Sequence, residues 1–360
     1  MRPRSLVILG AFLIGCGRAA PVAIDATPPT AIGPRAAHTA TRLPDGRVFV
    51  AGGCVTDGCS DATATTAFWR PQGDIVAGPT LQRARDAHTA SLLDDGRVLL
   101  VGGFGREGEP PLADAEVLTA AGTVQPVGAL ALARGGHAAA VLGDGRVLVA
   151  GGWVAPRRYT DTVELFDPTS DRFVSAAPLL HAVDSLAAVA LADGRVLVTG
   201  GASAPGVASA DAQVFDPTAA QWTIVDPMAQ ARFKHAMVRL HDDRVLVLGG
   251  THDDDALLSS TEVFDPKTGR FAAGPALTEP RYKLSGGVDT MPDGRVVVAG
   301  GAHSIEVLAA DLGAWSRVGS PGPDRRSFST VTAIDPSQLL VVGGYSASIE
   351  LTGGVETVRI

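Results

Sequence analysis

A short motif recurs seven times along the chain and constrains the fold more than any other feature. One copy reads Asp144-Gly145-Arg146, then four apolar residues, then Gly151-Gly152. The first glycines of the seven pairs lie at positions 52, 102, 151, 200, 249, 300 and 343. Neighbouring pairs are therefore 50, 49, 49, 49, 51 and 43 residues apart. A period near fifty predicts one supersecondary unit, repeated to build a single assembly.

The pattern of apolar runs and turn residues predicts four short antiparallel strands in each repeat. In the third repeat these strands are residues 138–142, 146–150, 163–166 and 172–175. The first two flank an Asp-Gly turn of the type that favours a tight hairpin, and Asp167-Pro168 supplies the last turn. Because the first two runs are almost continuously apolar, both faces of the sheet must be covered. Radial stacking of neighbouring sheets provides that cover, so we predict a β-propeller.

The repeat resembles the kelch family, whose units join a double glycine at the end of the second strand to an aromatic residue on the outer strand. The glycine pair is present in all seven units. The outer aromatic is Phe173, Trp222, Phe271 and Trp315 in units three to six, whereas Ile75 and Val124 replace it in the first two. The resemblance covers residues 35–360 and implies an all-β, seven-bladed propeller of four-stranded antiparallel blades.

The last repeat is short, so two sets of residues are candidates for the strands that complete the last blade and close the ring. Residues 348–351 and 357–360 are its candidate outer strands. Alternatively, the segment before the first repeat lends a strand, for which residues 21–25 are the candidates.

The N-terminus has the features of an export signal. Arg2 and Arg4 precede an apolar run over residues 6–14, which is too short to cross a bilayer but suits a secretory signal. The run ends in Leu13-Ile14-Gly15-Cys16, which resembles the bacterial lipobox, where the cysteine becomes the lipid-modified first residue. We therefore predict a signal peptide over 1–15, a lipidated Cys16 with a tether over 16–34, and the propeller over 35–360. A plain cleaved signal is the alternative.

The composition excludes one class of partner. The net charge is -8 and the pI is near 5.5, whereas binding to nucleic acid requires a basic surface. We expect no nucleic acid, a monomer, and membrane contact through the lipid anchor alone. Gly17 stands where an aspartate would, by the lipoprotein resemblance, indicate retention at the inner membrane. The outer membrane or the cell surface is therefore the favoured location.

One end of the propeller is predicted to carry recognition. The turns at one end repeat Asp-Gly-Arg and Asp-Pro, which indicates a structural role. The loops at the other end differ from unit to unit and span residues 54–66, 104–112, 153–160, 202–210 and 251–260. Variable loops on a rigid frame commonly form binding surfaces. Trp153 and Tyr159 in the third loop are candidate binding residues.

Basic residues open most repeats in one register, ten residues before the turn. They are Arg35, Arg85, Arg134, Arg232, Lys283 and Arg326, with Val183 in the fourth repeat. One hypothesis is a basic collar that binds a carboxylate or phosphate. The favoured hypothesis is structural, because acids also recur in the third strand and would pair with the basic residues between neighbouring blades. These acids are Glu116, Glu164, Glu262, Glu306 and Glu350.

Other polar residues favour structural roles over a metal or cofactor. His38, His88, His137 and His235 follow the arginines by three residues. Because each copy belongs to a different blade, we expect buried, hydrogen-bonded histidines instead of a metal site. Residues 252–255 have acidic character but lack the spacing of a calcium loop. Cys54 and Cys59 are predicted to form a disulfide, because the protein is exported. We predict no metal and no cofactor.

No catalytic constellation stands out. Propellers resembling galactose oxidase need tyrosine and histidine ligands and a cysteine linked to a tyrosine, and here no tyrosine adjoins a histidine. No nucleophile elbow or phosphate loop is present in a fitting context. The hypothesis is a non-catalytic kelch propeller that binds a protein or glycan. The alternative is an epimerase-like enzyme on an acidic sugar that uses the basic residues at the channel mouth.

Overall fold

The chain forms a ring of seven four-stranded antiparallel sheets, as predicted. The computed structural model describes residues 24–25, 32–319, 326–346, 348–351 and 354–360, with the backbone alone at Ile24–Asp25. Within these ranges there is no α-helix, and Asp57–Cys59 forms a short 3-10 segment. The sheets follow one another along the chain, which confirms the seven-bladed propeller.

In the first six blades the strands follow one another outward from the channel in chain order. Blades one to three contain Thr39–Arg42, Val48–Ala51, Thr66–Trp69, Ile75–Ala77; Thr89–Leu92, Val98–Val101, Ala115–Leu118, Val124–Pro126; and Ala138–Val141, Val147–Ala150, Val163–Asp167, Arg172–Ala176. Blades four to six contain Ala187–Ala190, Val196–Thr199, Ala212–Asp216, Gln221–Ile224; Ala236–Arg239, Val245–Leu248, Thr261–Asp265, Arg270–Ala273; and Val288–Thr290, Val296–Val298, Ile305–Leu308, Trp315–Gly319.

The seventh blade takes a strand from the N-terminal segment. Its first three strands are Thr330–Asp335, Gln338–Val342 and Val355–Arg359, and its outer strand is Ile24–Asp25. Ile24 pairs with Val358 in antiparallel register. The expectation of an outer strand at residues 348–351 is wrong. That segment belongs to the loop after the second strand, where Leu351 forms an isolated bridge with Tyr345.

Apolar side chains between the blades form the core. The second strand of each blade is buried along nearly its whole length, because neighbouring sheets cover both of its faces. Across the described residues, each interface between adjacent blades has its own apolar cluster. The cluster that contains Val48 and Leu340 joins the first blade to the seventh. The ring is therefore closed by packing as well as by the shared outer strand.

The double glycines lie where the inner strands of two blades meet. A Cβ on Gly52 would lie 2.3 Å from the Arg85 carbonyl oxygen and 2.9 Å from the His88 ring, both in the next blade. A Cβ on Gly53 would lie 2.8 Å from the Cβ of His38 in its own blade. Both glycines also have positive φ angles. Any side chain would therefore separate the blades or strain the backbone.

The repeated arginines and glutamates pair inside one blade. Arg134 Nη1 donates to the carbonyls of Gly151 and Thr162 at 2.9 and 2.8 Å, and Nη2 donates to Glu164 at 3.0 Å. The other carboxylate oxygen of Glu164 accepts the Ala131 N–H at 2.8 Å, which holds the segment that enters the blade. These bonds fit the structural role predicted for the repeated arginines and glutamates. The prediction that they pair between neighbouring blades is wrong.

Two of the residues predicted to belong to the repeated arginine and glutamate positions do not occupy those positions in the structure. In the sixth blade Arg281, not Lys283, donates to the Gly300 carbonyl at 2.9 Å and to Glu306. Two extra residues before the turn of this blade make the distance from the arginine to the turn longer than ten residues. In the seventh blade Arg326 pairs with Glu356, not with Glu350, because the third strand starts later than expected.

The arginines are buried and do not form a collar. Their exposed fractions are between 0 and 5 % at Arg35, Arg85, Arg134, Arg232 and Arg326. Each guanidinium forms bonds inside its blade, and Arg35, which has no acidic partner among the described residues, donates to Gly52 and Thr65. The burial of the arginines therefore contradicts the hypothesis that they form a ligand-binding collar.

The two ends of the propeller differ as the repeats indicate. At the end with the Asp-Gly-Arg turns, here called the uniform end, Arg97 bonds Asp171 of the next blade at 2.7 Å. Arg146 likewise reaches the Pro217 carbonyl in the next blade at 3.2 Å. The opposite end, here called the loop face, carries the variable loops. Two of these loops form small hairpins, Trp153–Ala155 with Arg158–Tyr159 and Ala202–Ala204 with Val207–Ala208.

We expect Arg134→Ala to lower the free energy of unfolding by about 3–5 kcal/mol, because it leaves the Glu164 carboxylate buried without its partner. Urea unfolding of the variant measures the loss. The control is Arg157→Ala in the exposed hairpin turn, which should change stability by less than about 0.5 kcal/mol. The double variant Arg134→Met with Glu164→Gln should lose less than Arg134→Ala alone. Equal stabilities for Arg134→Ala and Arg157→Ala would contradict this role.

Candidate functional site: the channel mouth

A closed ring of backbone hydrogen bonds surrounds the channel at the loop face. One residue from each blade contributes, and we call this set the mouth ring: Ala37, Ala87, Gly136, Ser185, Lys234, Lys283 and Phe328. The N–H of each residue donates to the carbonyl of the ring residue in the preceding blade, over 2.9–3.2 Å. The Ala37 N–H donates to Phe328, so the sequence of bonds closes on itself.

All seven residues of the mouth ring have a left-handed backbone. Their φ angles lie between 45° and 63°, although only one of them is glycine. This conformation costs a residue with a side chain about 1 kcal/mol or more. A net contribution of about 0.5–1.5 kcal/mol from each ring hydrogen bond offsets that cost. The ring therefore places one side chain per blade around the axis, whatever its chemistry.

These side chains open into a cavity of about 340 Å³. Its wall also includes Phe104 and Trp153 from the second and third variable loops. A second chamber of about 290 Å³ continues along the channel between the inner strands. The four repeated histidines border both chambers. The mouth is thus the place where the channel meets the variable loops.

Lysines are rare in this chain and concentrate at the mouth. The sequence contains three lysines, and two of them, Lys234 and Lys283, are consecutive members of the mouth ring. Lys234 Nζ forms an ion pair with Asp254 at 2.5 Å. Asp254 belongs to the acidic loop over residues 252–255, whose side chains are largely exposed.

Lys283 has an aromatic environment. Its Nζ donates to the Tyr345 hydroxyl at 2.7 Å. It also lies 5.0 Å from the ring centroids of Tyr282 and Tyr345 and 5.5 Å from that of Phe328. Within the described ranges no carboxylate is in ion-pair contact with Lys283. Its positive charge is therefore held by a hydroxyl and by ring faces.

Burial lowers the pKa of Lys283 to about 8, and the nearby charge of Lys234 acts in the same direction. Burial also raises the pKa of Tyr345, with a smaller contribution from Tyr282, so the phenol remains protonated. Lys283 is consequently a cation at neutral pH.

The opposite wall of the mouth is apolar. The rings of Phe104 and Trp153 meet edge to face, with their centroids 5.3 Å apart. Trp153 is half-buried and pairs across its hairpin with Tyr159, the other candidate binding residue of that loop. The structure thus places Trp153 in the cavity wall, whereas Tyr159 is not one of the residues that line the cavity. Burial raises the pKa of Tyr159, with smaller contributions from the charges of Asp184 and Asp254.

Two aspartates near the mouth have raised pKa values. Burial raises the pKa of Asp184, which lines the cavity, to about 6, while hydrogen bonds from Ser185 oppose the shift. Burial raises the pKa of Asp86 to about 7. Asp86 occupies the same register in the second blade, and its backbone forms a bridge with Phe104.

The repeated histidines hold neighbouring blades together. His88 and His137 bond Thr39 and Thr89 in the preceding blades at 3.1 and 2.9 Å. Burial lowers the pKa of His137 to about 3, with a further contribution from Arg134, so the ring is neutral. Among the described residues there is no group of three or more His, Cys, Asp or Glu side chains arranged to hold a metal ion.

The first variable loop contains a disulfide. It joins Cys54 and Cys59, whose Cα atoms are 5.1 Å apart. Cys54 is fully buried against Ala36 and Tyr345. Because Tyr345 also bonds Lys283, the disulfide loop packs directly on the lysine side of the mouth. The predicted lipidation site, Cys16, lies outside the described residues.

We expect Asp86→Asn to stabilise the protein more at pH 8 than at pH 5. The unfolded aspartate loses its proton near pH 3.9, whereas the folded one keeps it to about pH 7, so ionisation opposes folding as the pH rises through this window. The extra gain at pH 8 should be about 2–3 kcal/mol. Urea unfolding at both pH values measures it, with exposed Asp226→Asn as the control. A gain that does not depend on pH would contradict the shifted pKa.

Comparison with known families agrees with this architecture. A protein family described as Kelch motif matches residues 134–180, which cover the third blade from Arg134 onward. No curated protein matches the chain. In the described ranges no helix has the length and apolar character needed to cross a membrane. The Kelch motif match and the seven-bladed architecture together support a kelch β-propeller.

Proposed function

We propose that this protein is an exported, lipid-anchored binding protein whose propeller holds a protein or glycan partner at the loop face and catalyses no reaction. The kelch propeller fold supports an interaction scaffold in general terms. The observation that carries the proposal is the mouth cavity, where ring side chains and two variable loops meet around about 340 Å³. A cavity of this size that combines an apolar wall with polar side chains is typical of a binding site.

The direction of the closing strand supports a partner on the side away from the membrane. Val355–Arg359 is a third strand and runs from the loop face toward the uniform end. Ile24–Asp25 is antiparallel to it and therefore enters the blade from the uniform end. Eight residue steps separate Cys16 from Ile24, which is at most about 28 Å of chain. A lipid at Cys16 would keep the uniform end near the bilayer and direct the loop face outward.

The buried arginines weigh against the alternative of a sugar-active enzyme. That hypothesis needs basic residues at the mouth, but the repeated arginines use their guanidinium groups inside the blades. Of the residues in the predicted basic collar, Lys283 is the one that reaches the cavity. A binding role uses this arrangement without requiring a catalytic acid and base.

We expect Trp153→Ala to reduce partner capture from a cell-envelope extract at least about tenfold, since it removes an aromatic anchor from the mouth. The bait is the immobilised chain from residue 18 onward, which keeps the closing strand. The control is Arg172→Ala, an exposed position at the uniform end. Equal capture by wild type and Trp153→Ala, or loss of capture by Arg172→Ala, would contradict recognition at the loop face.

We expect Cys16→Ser to move the protein from the membrane fraction to the soluble fraction, because no acyl chain can then be attached. Fractionation of cells that express the full chain, followed by mass spectrometry of the N-terminal peptide, measures the effect. Cys59→Ser is the control, since it removes a cysteine without affecting the predicted lipidation site. Unchanged membrane association of Cys16→Ser would show that the anchor proposal is wrong.

A further inference from the structure

We propose that the channel mouth is a binding site for a single carboxylate carried on an apolar group, with Lys283 contacting the carboxylate and Phe104 and Trp153 contacting the apolar group. The inference deepens the proposed function by naming the chemistry of the ligand at that site. The ligand is either a small organic acid or the free C-terminus of a partner polypeptide, because both present this chemistry.

The donor capacity of Lys283 is the first argument. An ammonium group has three N–H donors. One of them bonds Tyr345 at 2.7 Å, and the remaining contacts of Nζ are with aromatic faces. Among the described residues, therefore, two donors of Lys283 have no hydrogen-bond acceptor and are available to an acceptor in the cavity that Lys283 lines. A carboxylate supplies two oxygen acceptors with the opposite charge.

The distribution of charge is the second argument. The chain carries a net charge of -8, yet two of its three lysines project from consecutive positions of the mouth ring. Elsewhere the chain uses arginine for its buried pairs, for example at Arg134 and Arg232. Lys234 forms an ion pair with Asp254, whereas no carboxylate among the described residues is in ion-pair contact with Lys283. An anion is the complement of the Lys283 ammonium group.

The composition of the wall opposite Lys283 indicates the chemistry of the part of the ligand that carries the carboxylate. Phe104 and Trp153 face the cavity together with Leu186 and Leu284. The nearby histidines are neutral and bond threonines of neighbouring strands through Nε2. An aromatic or aliphatic group gains from burial against the side chains of Phe104 and Trp153.

The test uses 3-phenylpropionate as the probe and 3-phenylpropanamide as its uncharged match, measured by calorimetry on the chain from residue 18 onward. We expect the acid to bind at least about tenfold more tightly than the amide. Lys283→Met should weaken the acid by at least about tenfold, and Lys283→Arg should retain part of the affinity. Lys267→Met, in an exposed turn, is the matched control and should bind like wild type. Thermal unfolding of each variant confirms that it is folded.

A tripeptide, acetyl-Gly-Gly-Phe, distinguishes the two sources of the carboxylate when compared with its C-terminal amide. Tighter binding of the peptide acid than of 3-phenylpropionate indicates a polypeptide C-terminus, and equal or weaker binding indicates a small acid. Equal binding of acids and amides, unchanged affinity in folded Lys283→Met, or no binding of any probe would overturn the inference. If the probes fail but capture from the envelope extract still depends on Trp153, the proposed scaffold function remains and the carboxylate site does not.

Discussion

The closed ring of seven backbone hydrogen bonds at the channel mouth is the contact on which the rest of the arrangement depends. Each bond joins the inner edge of one blade to the next, so no blade can shift without breaking two of them. The ring requires a left-handed residue at one position in every blade. The double glycines follow the second strand of each blade, where a neighbouring backbone leaves no room for a Cβ. The close approach of neighbouring blades therefore determines both the packing of the propeller and the geometry of the channel mouth.

This arrangement explains why a scaffold with monotonous repeats can still carry a distinctive site. The ring is built from main-chain atoms, so the side chains at its positions are free to differ. Five blades place alanine, glycine, serine or phenylalanine there, and two place lysine. The buried arginines behave differently because their side chains hold the blade together. Variation is thus permitted at the mouth and restricted at the arginine register.

The fold could be predicted from the sequence because its signals are local and repeated. The glycine pairs, the apolar second strands and the turns all recur with nearly the same period. The predictions that failed depended on counting residues between a repeated motif and the predicted residue. The ten-residue spacing puts Lys283 in the arginine register because two extra residues in the sixth blade shift the numbering. The spacing of the acids likewise points to Glu350, whereas the third strand of the seventh blade starts later and contains Glu356. Spacing also cannot tell whether Arg134 reaches a glutamate of its own repeat or of the next, since both recur with one period.

Lys283 is predicted from the sequence only as a member of the basic register, and Lys234 is not predicted, because the mouth ring has no sequence signature beyond its place two residues after the arginine position. The available signal was compositional, since only three lysines occur in the whole chain and two share this register. The shared seventh blade has a further consequence for biogenesis. Its outer strand, Ile24–Asp25, pairs with Val355–Arg359, more than 300 residues further along the chain. The sheet cannot be completed until both segments have been synthesised, and until then an unpaired strand edge favours aggregation.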